Sequence, residues 1–458
     1  MQPARRIAFE VIRAVREDDA YANLLLPAKL ERAKLSTADA ALATELTYGT
    51  LRMRGYYDRV IEFAANRPLG EIDGTVVDVL ELAAHQLLSL RVASHAAVNE
   101  AVELARDVAS RSSTGFVNGV LRTMTRSTPE QWRERVLESA RDDDARLEML
   151  YSHPAWIIRA FRRALLTDGA TAEEASVDLV ELLEADNEAA SLGLIALPGL
   201  AERNEIRVEG HPSPYSPFGF ITDSGDPRGI DQVRAGTVRV QDEGSQLAAL
   251  ALVHAAPIAT GEVWLDLCAG PGGKSAVLAA EARIGGATLI ANEPVPARAE
   301  LVRNALAALP KPSAVWEEDG TQMGHENPGR FDRILVDAPC TGLGALRRRP
   351  EARWRKSPGD VAELVELQSR LIDAAVLALK PGGILAYVTC SPHVAETRGQ
   401  VADALKRHAA ALEPLETQSV LQSFVSSPLA LGIDRTQAQL WPHRHGTDAM
   451  FIALMRKI

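Results

Sequence analysis

Apolar residues recur at helical spacing through the first quarter of the chain. The segments ARRIAFEVIRAVRED (4–18), TADAALATELTYGTLRMRGYYDRVIEFAA (37–65), TVVDVLELAAHQLLSL (75–90) and HAAVNEAVELARDVA (95–109) all show it. Polar breaks such as RPLGEIDG separate them, and period-two alternation is absent, so a helical domain is predicted over residues 1–130. Residues 130–150 are charged and helix-prone and read as a connecting helix. The pattern then changes. SHPAWIIRAFRRAL (152–165) is a short amphipathic helix, SLGLIALPG (191–199) and NEIRVEG (204–210) look strand-like, and PSPYSPFGFITDSGDPRG (212–229) reads as loop. Residues 131–236 are therefore expected to form the helical connector and a small α+β subdomain.

From residue 237 onward, strands and helices alternate. Strands are predicted at TVRVQD (237–242), VWLDLC (263–268), TLIAN (288–292), SAVWEE (313–318), DRILVD (332–337), ILAYVT (384–389) and FIALMR (451–456). Helices fall between them, from Gly244, from Gly273, through Arg303 and from Pro358. Such alternation predicts an α/β domain over 237–458 with a doubly wound, mostly parallel sheet.

Length and composition narrow the class. At 458 residues and 46% hydrophobic, the chain can bury several cores. It has no run near the ~18 apolar residues of a membrane span, and no signal peptide is recognisable in MQPARRIAFEVIRAVRED. A cytoplasmic, non-membrane protein is expected. The net charge of −11 argues against a nonspecific nucleic-acid binder, though a local basic patch can still serve RNA. Three cysteines make no disulfide framework, and no CxxC or HxxxH spacing offers a metal cage, so no metal is expected.

Chemistry concentrates in the last 200 residues. VWLDLCAGPGGKS (263–275) is a buried strand running into a glycine-rich turn and a helix. Gly270, Gly272 and Gly273 let the backbone approach a ligand at the strand's carboxyl end. About 20 residues further on, Glu293 ends the next strand, where a carboxylate accepts from ribose hydroxyls. GPGGKS resembles the end of a P-loop, but Cys268 stands where that pattern needs glycine, and the GxGxxG fingerprint is not met either. A nucleoside-containing cofactor is indicated. Asp319 follows the SAVWEE strand, in EEDG, and could reach that cofactor, although a loop aspartate is more often a turn former.

FDRILVDAPCTGLG (331–344) presents Asp337 at a strand tip, then Pro339 and Cys340. GGILAYVTCSPHVAE (382–396) ends its strand at Cys390. A single free cysteine is usually a small buried hydrophobe. All three cysteines at strand tips of one sheet are harder to ascribe to packing. Methylation at C5 of cytosine explains the set. That carbon becomes nucleophilic only after a thiolate adds to C6, and the reaction also needs an acid near N3 and a base for the C5 proton. Asp337 can be the acid, and Cys340 and Cys390 can attack or act as base. Lys274 and Arg347–Arg349 are candidates for lowering the attacking thiol's pKa. LRRRPEARWRK (346–356) holds six cations and a tryptophan. Arg347, Arg348, Arg349, Arg353 and Trp354 are candidate RNA contacts, with a solvated loop anchored by Trp354 as the bland alternative.

CAGPGGKS, DAPCTGLG, RRRPEARWR and TCSP resemble the successive motifs of the Sun/Fmu-type RNA cytosine-5 methyltransferases. Residues 4–126 resemble the NusB-like RNA-binding domain that begins the bacterial small-subunit ribosomal RNA members. QDEGSQL (241–247) and WPHRHGTDAMFIAL match the same pattern. The resemblance implies a Rossmann-like methyltransferase domain and S-adenosylmethionine as cofactor. It implies Cys390 as nucleophile, with Cys340 assisting proton removal or product release. It also implies cofactor contacts from Cys268, Ala269, Gly270, Pro271, Gly272, Gly273 and Lys274, and from Glu293, Asp319 and Asp337. Glu293 departs mildly, since aspartate is common there. The implied substrate is a cytidine of 16S ribosomal RNA, free or in an early small-subunit particle, with the enzyme a monomer. Alternatives are a transfer-RNA enzyme and a non-catalytic RNA-binding or antitermination factor.

Overall fold

The computed structural model describes residues 2–90, 92–223 and 227–458. They form two compact units. One comprises residues 1–159 with 183–189 and 346–355, the other 160–182, 190–345 and 356–458.

The first unit is helical, as its periodicity predicts. Its helices include Pro3–Glu17, Thr37–Arg52, Arg54–Ala65, Gly74–Leu88, Ser94–Val108 and Ser113–Met124. Their apolar stripes meet in a core containing Ile12, Leu46, Tyr57, Leu80, Val117 and Trp132. Local chemistry sets the ends. Asp73 caps its helix by accepting from the Thr75 and Val76 amides, and Thr128 with Gln131 forms a capping box. The charged stretch 130–150 forms two helices, Pro129–Glu138 and Asp143–Tyr151, not one. The polar SARD sequence between them interrupts the apolar stripe.

The second unit holds two sheets. The smaller contains β1 (Leu192–Ala196), β2 (Gly210–Pro212), β3 (Gly219–Thr222) and β4 (Val238–Val240), in the order β2-β3-β1-β4. Three expectations are corrected here. The stretch 212–229 is not all loop, because GFIT forms β3; its residues 224–226 lie outside the described residues. Of NEIRVEG only Gly210 enters a strand. TVRV, assigned above to the large sheet, pairs antiparallel with β1, so the boundary expected at 237 falls within the small sheet. A further helix, Ala172–Asn187, was not anticipated: its acidic surface dilutes the apolar stripe of Leu179, Leu182 and Leu183.

The larger sheet is built from β5 (Val263–Asp266), β6 (Thr288–Asn292), β7 (Ala314–Trp316), β8 (Phe331–Asp337), β9 (Leu379–Thr389), β10 (Leu412–Pro414), β11 (Gln437–Gln439) and β12 (Phe451–Lys457). Its order is β10-β12-β9-β8-β5-β6-β7, with β11 also paired to β12. Strands β5 to β9 run parallel, while β10, β11 and β12 pair antiparallel at one side. Alternate residues feed separate cores. Leu335, Ile384, Ala386 and Val388 join one, and Ile334, Val336, Leu385 and Tyr387 the other. This two-faced burial is what a doubly wound sheet requires. The strand order reverses between β5 and β8, which opens a crevice at their carboxyl ends. Among the described residues, no helix is long and apolar enough to cross a membrane.

Candidate active site

The crevice begins at β5. Asp266, its last residue, is buried and accepts the Ser275 hydroxyl at 2.6 Å. Burial pushes its carboxyl up to about 7, and the nearby Asp337 adds to the effect. The loop after Asp266 bends through a Gly270–Pro271 cis bond into the helix Gly273–Gly285. Two glycines here are steric necessities. A Cβ on Gly270 would lie 2.2 Å from Glu293 Oε2, and one on Gly272, whose φ is +101°, would lie 2.5 Å from the Ala305 Cβ. No side chain caps the helix start, so its first amides remain open to a ligand.

Glu293 follows β6 and is 2% exposed. Its carboxylate accepts the amides of Gly270 at 3.2 Å and Val295 at 3.1 Å, and lies 3.3 Å from Arg298 Nη2. These bonds fix the carboxylate against the glycine loop. Asp319 is exposed and accepts the amide and hydroxyl of Thr321, so it does the turn-forming work weighed above. Burial pushes the Cys268 thiol well above its usual range.

Asp337 ends β8, opposite Val388 of β9 in the parallel register. Lys274 reaches across and donates to Asp337 Oδ2 at 2.8 Å. Burial works to lower the Lys274 pKa, but Asp337 and the nearby Cys390 outweigh it, and the net shift is upward. The ammonium form is therefore favoured in the crevice. Beyond Asp337, the two cysteine-bearing tips converge: Cys340 Sγ lies 3.4 Å from Cys390 Sγ. The Cys340 thiol is pushed well above its usual range, first by its hydrogen bond to Cys390, then by burial and by the charges of Cys390 and Glu396. A thiol pair, a Lys–Asp pair and an open glycine loop thus line one edge of the sheet.

Two family descriptions match this chain. "16S rRNA methyltransferase RsmB/F" matches residues 254–456, and "NusB family" matches residues 2–126. A Mycobacterium tuberculosis protein that is provisionally named a methyltransferase is 47% identical over the whole chain and 97% of its own length. Ribosomal RNA small subunit methyltransferase B of Salmonella paratyphi B is 31% identical, over 88% of this chain and 90% of its own. The chain belongs to the RsmB/F family of ribosomal RNA methyltransferases. Its fold agrees with solved structures. PH0851 aligns over 99% of both chains with a TM-score of 0.79 and 22% identity. NSun6 from Pyrococcus horikoshii aligns over 65% of this chain and 98% of its own, with a TM-score of 0.51 and 18% identity.

The cofactor of this RsmB/F methyltransferase is S-adenosylmethionine. The residues present fit it: uncapped amides, two sterically required glycines and a fixed carboxylate surround the place a nucleoside needs. The basic segment needs a correction. Residues 346–355 fold with the helical unit. There Arg353 is fully buried and donates to the carbonyls of Arg52 (2.8 Å), Ser152 (3.3 Å) and Asp186 (2.8 Å) and to Asn187 Oδ1 (2.8 Å). Arg353 is a structural clamp instead of an RNA contact. Arg347 is buried too, whereas Arg348 is half-buried and Arg349 and Trp354 are exposed. Trp354 stands over Gly55, where a Cβ would meet its ring at 2.6 Å.

Sequence reasoning missed several residues of the site. Asp266 was visible as an acid ending a buried strand. Asn292 bridges the tips of β5 and β6 to Glu318 through the Leu267 and Glu318 backbones, and nothing in its local sequence marks it. Thr341, Ser391 and Glu396 are ordinary polar residues until the fold joins them. Among the described residues, one ligand-type cluster lies away from the crevice: Asp178, Glu181 and His443 have atoms within 4.8 Å, but Asp178 already pairs with Arg444.

Proposed function

We propose that this ribosomal RNA methyltransferase acts on C5 of a cytidine in 16S ribosomal RNA, through a covalent bond between Cys390 and C6. The observation that carries the reading is the Cys340–Cys390 pair, 3.4 Å apart beside the Lys274–Asp337 ion pair. When bound, S-adenosylmethionine supplies an electrophilic methyl group. The chain's own groups do the rest. The Cys390 thiolate adds to C6, its electron pair forming the S–C6 bond, so that C5 becomes the nucleophilic carbon. Lys274 stabilises the attacking thiolate, and Asp337, after taking up a proton from solvent, donates it to N3 as negative charge develops there. Once C5 is methylated, Cys340 removes its proton and the S–C6 electrons return to Cys390.

The same geometry supports the assignment of roles. The two thiols are in hydrogen-bond contact, and that contact is the first cause of the raised Cys340 pKa, which keeps Cys340 protonated. Adduct formation turns Cys390 into an uncharged thioether. The first cause of the raised Cys340 pKa then disappears, and Cys340 becomes easier to deprotonate when a base is needed. The 268–274 loop, Glu293 and Asp319 are the proposed cofactor contacts. Arg348, Arg349 and Trp354 remain the proposed RNA contacts. We propose that the working form is a cytoplasmic monomer acting on free ribosomal RNA or an early small-subunit particle.

Bisulfite sequencing of a 16S transcript treated with the enzyme and S-adenosylmethionine tests the reading. One protected cytidine supports it. Methylation of transfer RNA alone would transfer the assignment to that substrate, and cofactor binding without methylation of any RNA would favour a non-catalytic factor.

A further inference from the structure

The two cysteine-bearing tips are tied together by one side chain. Glu396 follows the TCSP motif in a short turn, Val394–Glu396, and is fully buried. Its Oε1 accepts the Thr341 amide at 2.8 Å, and its Oε2 accepts the hydroxyls of Thr341 at 2.5 Å and Ser391 at 2.7 Å. Gln368 Nε2 donates to the same Oε1 at 3.3 Å and to the Pro339 carbonyl at 2.8 Å. The Tyr387 hydroxyl donates to the Glu396 carbonyl at 2.7 Å, anchoring the clamp to β9. The arms end beside the reactive thiols. Pro339 and Thr341 flank Cys340, and Ser391 follows Cys390.

We infer that Glu396 is a positioning residue that holds Cys340 at its 3.4 Å distance from Cys390, so that the base stands over C5 while the attacker holds C6. The inference rests on the covalent reading above. A fully buried carboxylate is costly unless hydrogen bonds compensate it, and here four donors converge on it. Packing alone would not call for a carboxyl group at this place.

The clamp bears unequally on the two tips. Cys390 directly continues β9, whose last residue, Thr389, pairs with Phe451, and its carbonyl accepts the Gly344 amide at 2.9 Å. Cys340 lies on a loop beyond β8, past the Ala338–Val388 backbone bond, and its next residue is held by Glu396. Loosening the clamp therefore displaces the base more than the nucleophile. Release of RNA should fail before attack does.

The test uses the full chain, S-adenosylmethionine and a 16S transcript, with Cys340→Ala and Cys390→Ala in parallel. Glu396→Gln should lower turnover on the order of 100-fold, the usual cost of a misplaced reacting group. The KM for S-adenosylmethionine should stay within about two-fold, because the clamp touches none of the glycine loop. A covalent protein–RNA band should accumulate on a denaturing gel, as with Cys340→Ala, and should vanish when Cys390→Ala is added. Thr341→Val should trap the same band and Thr341→Ser should not, which keeps the test available if Glu396→Gln does not fold. Lost turnover without a band, while Cys340→Ala does trap one, would overturn the clamp alone. No band from Cys340→Ala or from any clamp variant would overturn the covalent reading and the clamp with it.

Discussion

Replacing Lys274 by Met removes one charge from the crevice while nearly preserving side-chain length. The Lys274 and Asp337 side chains are 11% and 25% exposed and meet at 2.8 Å. Breaking a buried pair by deleting one partner costs about 3–5 kcal/mol. Asp337 keeps some solvent, so we expect about 2–3 kcal/mol here. The loss should spread to Asp266, on which Lys274 exerts a lowering influence. Lys274 has a raised pKa, so its contribution is intact through neutral pH and is lost only as pH climbs beyond the ordinary lysine range. Urea unfolding at about pH 7.5 therefore reads the full effect. Turnover should fall further than stability, on the order of 100-fold, because on the proposed covalent route the attacking thiolate would lose its nearby cation. Lys274→Arg should recover part of both. A Met variant within about 0.5 kcal/mol of the parent and fully active would refute the electrostatic account of the crevice.

Other outcomes follow from the same contacts. Arg353→Met should destabilise the helical unit by about 3–5 kcal/mol, because buried acceptors lose their donor, and should leave S-adenosylmethionine affinity unchanged in calorimetry. Asp266→Asn tests the raised carboxyl. In the parent, the penalty for ionising Asp266 grows from its ordinary pKa of 3.8 up to about 7 and is complete above it. The parent should therefore lose stability relative to the Asn variant as pH rises through that window, and parallel thermal melts would expose the opposite trend. Gly272→Ala should cripple cofactor binding, since φ is +101° and the new Cβ would lie 2.5 Å from Ala305.

Much of this architecture was legible because it follows periodicity. The helical unit and the parallel core strands announce themselves through apolar spacing, and the strand-tip position of Asp337, Cys340 and Cys390 followed directly. What escaped depends on partners distant in sequence. TVRV reads like any short strand, and only its pairing with β1 assigns it to the small sheet. Arg353 sits in a run of exposed-looking arginines, yet its acceptors come from segments 166 to 301 residues away. Glu396 looks like a surface glutamate after a turn until Thr341 arrives from another strand tip. Charge at a residue is local information, while burial of that charge is a property of the fold.

The central claim is that Cys390, not Cys340, bonds to the base. A 16S transcript made with 5-fluorocytidine blocks removal of the C5 substituent and should trap the adduct after methyl transfer. Protease digestion and mass spectrometry of the trapped complex then locate the nucleotide. The account predicts it on the peptide carrying Cys390. A nucleotide on the peptide carrying Cys340, with Cys390 unmodified, would contradict it.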